Sequence, residues 1–229
     1  MSVSSPLDLQ EEGSEPLTEA VAAQMRELLI AGEFAPAQKL SEHKIAARFG
    51  ISRNTLREAF RLLTSQRLLT YIPHRGVFVA APDAAAVIDI YRLRAIVQKG
   101  AILAASPGHP ALARLRQLAE DGQRAGAAGE WRRVGTLNME FHRALVDLGD
   151  SPRLSACFDL TLAELRLVFG RLDDAMPLHQ PYIDLNMGLV EALEAGNLAG
   201  AAAKLDAYLL KSERTVLAAL QRRDEKTRP

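Results

Sequence analysis

The stretch LLTYIPHRGVFVA, residues 68–80, alternates apolar and polar side chains on both sides of a Pro/Gly turn. That is the pattern of a β-hairpin, and with no strand pattern after it the chain is limited to one small antiparallel ribbon among helices. Upstream, Leu17, Val21, Met25 and Leu28 follow a helical face that stops at Gly32. Ser41 stands at an N-cap position ahead of a short helix through Lys44, Ile45 and Ala46 that ends at Gly50. Ser52 caps a third helix running to about Gln66. Helix, helix, turn, helix, hairpin is the order of a winged helix-turn-helix.

From Pro82 the character changes. Ala- and Leu-rich helical segments follow one another, broken at 107–110, Gly129, 149–152, 177–181 and Gly196. The spacing predicts six helices, roughly 83–105, 110–128, 130–148, 152–173, 181–195 and 198–223, which pack as an all-helical bundle. The expected fold is therefore mostly α: a winged helix-turn-helix with a small β-hairpin wing at 17–82, then an all-α six-helix bundle at 83–229. The polar residues 1–16, with Pro6, Gly13 and Pro16, read as a flexible arm.

A chain of 229 residues fits two domains. It has no apolar run near the roughly 20 residues that span a bilayer, and its start lacks the basic and apolar regions of an export signal. The expectation is a cytoplasmic protein with no membrane partner. The single Cys157 has no cysteine to pair with and reads as a small buried apolar residue. The 28 basic and 28 acidic residues cancel over the chain, but residues 17–82 hold nine Lys and Arg against five acidic residues. A basic first domain beside a neutral second one points the first at a polyanion.

The third helix shows how. At about 100° per residue, with Arg53 at zero, Arg57 falls near 40°, Arg61 near 80° and Asn54 near 100°. Leu56, Ala59, Phe60, Leu62 and Leu63 occupy the opposite side. One face packs and the other presents three guanidiniums and an amide, groups suited to guanine, adenine and phosphate in a major groove. The hairpin tip adds His74, Arg75 and Gly76. No GxSxG, Gly-rich phosphate loop or HExxH motif appears, and no nucleophile has a spaced base, so an enzyme is not expected.

The run IAGEFAPAQKLSEHKIAARFGISRNTLREAFRLLTSQRLLTYIPHRGVFV resembles the N-terminal winged helix of GntR-type bacterial transcription regulators along its whole length, most specifically in LSE, FGISRNTLREAF and RGVFV. Ala37 stands where that family usually has a turn glycine, and His43 where arginine is usual. The resemblance implies DNA contacts from His43, Ser52, Arg53, Asn54, Thr55 and Arg57, and from the wing tip at His74, Arg75 and Gly76. It also implies a homodimer on a palindromic double-stranded operator.

The second domain is similar to the all-helical effector domain (FCD) of the FadR subfamily in IYRLRAIVQ, NMEFHRAL and GLVEALEAGNLAGAAAKL. Many members carry a metal there on an Asp and a His four apart on one helix and one His on each of the last two. Those positions read Asn138, His142, Asn186 and Tyr208, so one ligand of four remains. No tightly held metal and no other cofactor is expected, although His179 or Asp184 could compensate. The four polar residues either satisfy one another or line a cavity for a small-molecule effector. Arg94 either holds an effector carboxylate or makes a surface salt bridge. The implied function is a DNA-binding transcriptional regulator whose operator affinity answers to an effector, with an effector-independent dimeric DNA-binding protein as the alternative.

Overall fold

The computed structural model describes residues 17–172 and 175–226. The arm expected at 1–16 lies outside the described residues. The first unit is built from α1 (Leu17–Ala31), α2 (Glu42–Phe49), α3 (Arg53–Ser65), β1 (Leu69–Ile72) and β2 (Gly76–Val79). Ser41 caps α2 by accepting from the Lys44 amide, and Gly50 ends it in the left-handed conformation (φ 65°), donating back to Ala46 and Ala47. A side chain would be strained there, so the turn into α3 rests on this glycine.

The core of this unit joins Val21, Met25 and Leu29 of α1 to Leu56, Phe60 and Leu63 of α3 and to Leu69, Val77 and Val79 of the hairpin. The face of α1 is rotated from the one expected: Leu17 is 60% exposed and Leu28 only half-buried, while Ala22 and Leu29 are buried. Two neighbours, α3 and the later α7, share α1, and together they select Leu29 over Leu28.

β1 and β2 pair antiparallel with Leu69 opposite Val79 and Ile72 opposite Gly76. The segment before α2 extends the wing, a feature without a sequence signal. Leu40 donates to the Val77 carbonyl at 2.9 Å, Val79 to Gln38 at 2.9 Å and Ala37 to Val79 at 3.1 Å. Ala37 takes φ 64° to make this turn, which costs an alanine about 1 kcal/mol that glycine would not incur.

The second unit contains α4 (Ala84–Ala104), α5 (Ala111–Ala127), α6 (Trp131–Asp147), α7 (Pro152–Phe169), α8 (Ala175–His179), a 3-10 turn (Gln180–Tyr182), α9 (Ile183–Glu194) and α10 (Leu198–Lys226). Thus the six expected helices are present, α7 stops before 173, and the short α8 was not foreseen. Pro177 and Pro181 read as breaks, yet proline is tolerated in the first turn of a short helix. Tyr91, Ile102, Leu115, Phe141, Leu145, Val168, Leu189, Leu205 and Tyr208 form its core.

Helix α7 joins the units. Its Ala163 and Leu167 belong to the winged core, and Arg166 Nε donates to the Ile30 carbonyl at the end of α1 at 2.9 Å. Arg171 donates to the Pro82 carbonyl and to Asp224. Cys157, expected inside, is exposed, because α7 buries Phe158, Thr161 and Leu162 instead. No described helix is long and apolar enough to cross a membrane.

Candidate nucleic-acid interface and helical-domain pocket

Ser52 builds the start of α3. Its Oγ accepts from the Thr55 amide at 3.1 Å and shares a 2.8 Å hydrogen bond with the Thr55 hydroxyl. Both hydroxyls therefore serve the cap first, and the cap fixes where Arg53 and Asn54 emerge; both are exposed. Arg53 Nη2 lies 3.2 Å from His43 Nδ1 on α2. A guanidinium only donates, so the imidazole nitrogen accepts. Arg57 Nε meets Glu42 Oε2 at 2.9 Å, and Arg61 pairs with Glu58 at 2.5 Å.

These pairs are solvent-exposed, worth about 0–1 kcal/mol each, and a nucleic-acid partner can exchange them at little cost. Glu42, which orients Arg57 from 15 residues upstream, was missed because α2 and α3 meet only in three dimensions. A groove of about 540 Å³ between α3 and the wing is lined by Glu42, Arg57, Phe60, Arg61, Thr64, Tyr71 and Val77. Tyr71, 62% exposed on β1, is another candidate the sequence reading passed over, though its outward place in the strand alternation was available.

At the wing tip Arg75 donates its amide to the Ile72 carbonyl at 3.0 Å, closing a turn over Pro73 and His74. His74 (φ 60°) and Gly76 (φ 100°) both have positive φ. The Arg75 guanidinium lies over the Phe78 ring, 5.6 Å from its centroid, a position that keeps it extended from the wing. Arg75→Ala is expected to weaken binding evenly across DNA sequences. The slope of log affinity against log salt should become shallower by about one unit, read by titration at several salt concentrations.

In the bundle, three residues of the polar quartet meet. Asn138 Oδ1 accepts from Asn186 Nδ2 at 2.8 Å and from the Tyr208 hydroxyl at 2.9 Å. His142 stands edge-on to Tyr208, ring centroids 5.0 Å apart, and its Nδ1 is 2.6 Å from Gln98 Oε1. Burial, and secondarily the charge of Arg94, holds the His142 imidazole well below its usual pKa, and burial pushes the Tyr208 hydroxyl upward. Both groups are neutral at physiological pH.

Arg94 is not at the surface. It is 2% exposed, with its guanidinium 4.7 Å from the Tyr91 ring centroid, and among the described residues no carboxylate pairs with it. Arg94 Nε, Gln98 Nε2, His142 Nε2 and Asn186 Oδ1 are buried without a protein partner. Gln98, fully buried one helical turn after Arg94, was also missed, although that spacing placed it on the same face.

The residues considered as compensating ligands lie elsewhere. Asp184 is exposed. His179 packs against Phe169 and against Gly135, where an added Cβ would stand 2.6 Å from its Nε2. Among the described residues no group of three or more His, Cys, Asp or Glu converges as metal ligands would. His109, in the 107–110 loop, is turned inward and lies outside this pocket's polar network. Its side chain is 9% exposed, bonded to Asp150 at 3.0 Å and to the Ala111 amide at 3.1 Å.

Residues 17–79 match the family of bacterial regulatory proteins, gntR family, and residues 89–211 match the FCD domain. The chain belongs to the GntR family of bacterial regulators with an FCD domain. A solved GntR-type chain from Rhodococcus sp. RHA1 is 36% identical with a TM-score of 0.81, covering 88% of this chain and 98% of that one. The Nta operon transcriptional regulator of Aminobacter aminovorans is 30% identical over 131 residues, 56% of this chain and 61% of that protein. This chain thus spans about three fifths of the length of the first curated relatives it matches, 61% and 60%. Escherichia coli McbR/YncC shares the fold at a TM-score of 0.72 with 20% identity, covering 89% of this chain and 98% of that one. The Rhodococcus and Aminobacter proteins are both described as transcriptional regulators, the non-enzymatic role expected of this family.

Proposed function

We propose that this GntR-family chain is a cytoplasmic, homodimeric, sequence-specific DNA-binding transcriptional regulator, and that a small carboxylate held at Arg94 changes its operator affinity. The carrying observation is the Arg94 guanidinium: 2% exposed, stacked on Tyr91, and without a carboxylate among the described residues. A buried cation left uncompensated is costly, and an incoming carboxylate supplies the missing charge. His142 Nε2 and Asn186 Oδ1 offer acceptors and Gln98 Nε2 a donor to the rest of such a molecule. Arg53, Asn54, Arg57 and the wing would read the DNA, with two copies of α3 on half-sites about one helical turn apart. The effector would favour one arrangement of the bundles and so one spacing of the reading helices.

The donor set does not fit a resident divalent metal. Asn138 Oδ1 already accepts two hydrogen bonds and the Tyr208 hydroxyl donates one, which leaves one imidazole nitrogen and one amide oxygen for a cation that needs several good donors. Purified protein is therefore expected to carry well under one metal per chain by elemental analysis. Stoichiometric zinc or nickel that survives dialysis would refute this.

The hydrogen bonds that Asn186 Nδ2 and the Tyr208 hydroxyl already donate to Asn138 Oδ1 favour the second reading, an effector-independent regulator. Thermal melting in the presence of a panel of small mono- and dicarboxylates separates the two. A concentration-dependent rise in Tm that also shifts operator affinity supports the effector; no shift with any carboxylate leaves the DNA-binding function alone.

A further inference from the structure

The seam between the two units is hollow. A cleft of about 620 Å³ opens between the end of α1 with its following loop and the ends of α6, α7 and α8. Leu29, Phe34 and Pro36 form its winged side, and Arg132, Arg133, Arg166 and His179 its bundle side. Its walls combine apolar side chains from both units with the cations of the bundle side.

We propose that this cleft is a second ligand site, separate from the Arg94 pocket, for a small organic anion with an apolar body. No Asp or Glu is among the described residues that line it. Arg133 is partly neutralised by Glu130 at 3.1 Å, and among the described residues no carboxylate pairs with Arg132 or Arg166. Arg166 lies close enough to sense Arg132: burial first, and then the positive charge of Arg132, lowers the Arg166 pKa. His179 adds no charge, because burial and then Arg166 lower its pKa to about 4.

A neighbouring hollow of about 420 Å³ shares Ala31, Thr136 and Arg166 but brings Glu27 and Glu140 with Arg143. Its charges already balance, which directs an anion to the larger cleft. Arg166 also donates to the Ile30 carbonyl. An anion on Arg132 and Arg166 with its apolar body against Leu29 and Phe34 would therefore span both units and fix the angle between wing and bundle. The volume lies in the range of small-molecule sites, roughly 300–1,000 Å³.

The test uses three probes with one phenyl-alkyl body: 4-phenylbutyrate, 4-phenylbutyl phosphate and 4-phenylbutanol. Trp131, the chain's only tryptophan, opens α6 beside Arg132 and reports binding by its fluorescence. Amide shifts of Gly32 and Gly170, both lining the cleft, place the ligand. Saturable binding of at least one acid at millimolar or lower concentration is expected, with the alcohol at least about tenfold weaker; the two acids distinguish a carboxylate from a phosphate head.

Arg132→Ser, at an exposed position, should weaken the acid by roughly tenfold while Arg94→Met leaves it nearly unchanged. Equal binding of acid and alcohol, failure of both acids to bind, or indifference to Arg132→Ser would overturn the proposal. Loss of binding in Arg94→Met alone would overturn it too, by placing the anion in the buried pocket. The Arg94 reading fails separately, on the carboxylate melting series.

Discussion

Arg94→Met is expected to make the free protein more stable and at the same time deaf to the proposed carboxylate effector. The two effects have one cause. In the free chain the guanidinium is 2% exposed, its Nε has no partner, and its charge depresses the pKa of buried His142. Methionine fills a similar volume with no charge to desolvate, and such replacements of buried ionic groups often gain roughly 1–4 kcal/mol. Loss of the stacking on Tyr91 offsets part of this, by about 0.5–2 kcal/mol. Chemical denaturation should show the midpoint moving up, and the carboxylate should no longer raise Tm or change operator affinity. A variant that is destabilised yet still responds would show that Arg94 serves packing and that the effector is held by other groups. A site that costs stability in the empty state is the usual trade between stability and function.

How much of this could be read from the chain depends on whether the partner of each residue is local. The faces of α3 were legible because Arg53, Arg57, Leu56 and Phe60 are sorted by the helix's own geometry, and the hairpin because the alternation and the Pro/Gly turn lie within 13 residues. The same holds for Ser41, Ser52 and Gly50, whose capping bonds reach three or four residues. The choice of Leu29 over Leu28 depended on α7, more than 120 residues away, and the ribbon edge at 37–40 on backbone bonds that carry no side-chain signal.

Arg94 is the instructive case for the pocket. Tyr91, Arg94 and Gln98 share one face of α4 and all three are buried, so the spacing already placed the arginine inward. Charge argued the other way, since arginine is rarely buried without a partner. The same tension is why the proposed effector site rests on it. The polar quartet was legible as positions, but that Asn138 accepts from both Asn186 and Tyr208 while His142 turns to Gln98 required the packed bundle.

Arg53→Ala should have the largest effect on DNA recognition, a loss of about 1–3 kcal/mol on the operator with a relaxed base preference at one position of each half-site. Arg53 opens α3 immediately after the Ser52 cap, and His43 Nδ1 stands 3.2 Å from its Nη2, so the guanidinium is pre-aimed before DNA arrives. Pre-aiming matters because a bidentate contact needs both nitrogens in one plane, and lysine at this position, with a single charged point, should not restore the preference. The side chain is exposed, so Tm should stay within a degree or so of the parent and any loss of binding cannot come from unfolding. Arg75→Ala supplies the contrast, since a phosphate contact weakens operator and random DNA alike. Parallel titrations of both variants on the operator and on scrambled DNA decide the matter. If Arg53→Ala weakens the two DNAs equally, Arg53 positions the backbone, and base reading passes to Asn54 and Arg57 on the same exposed face.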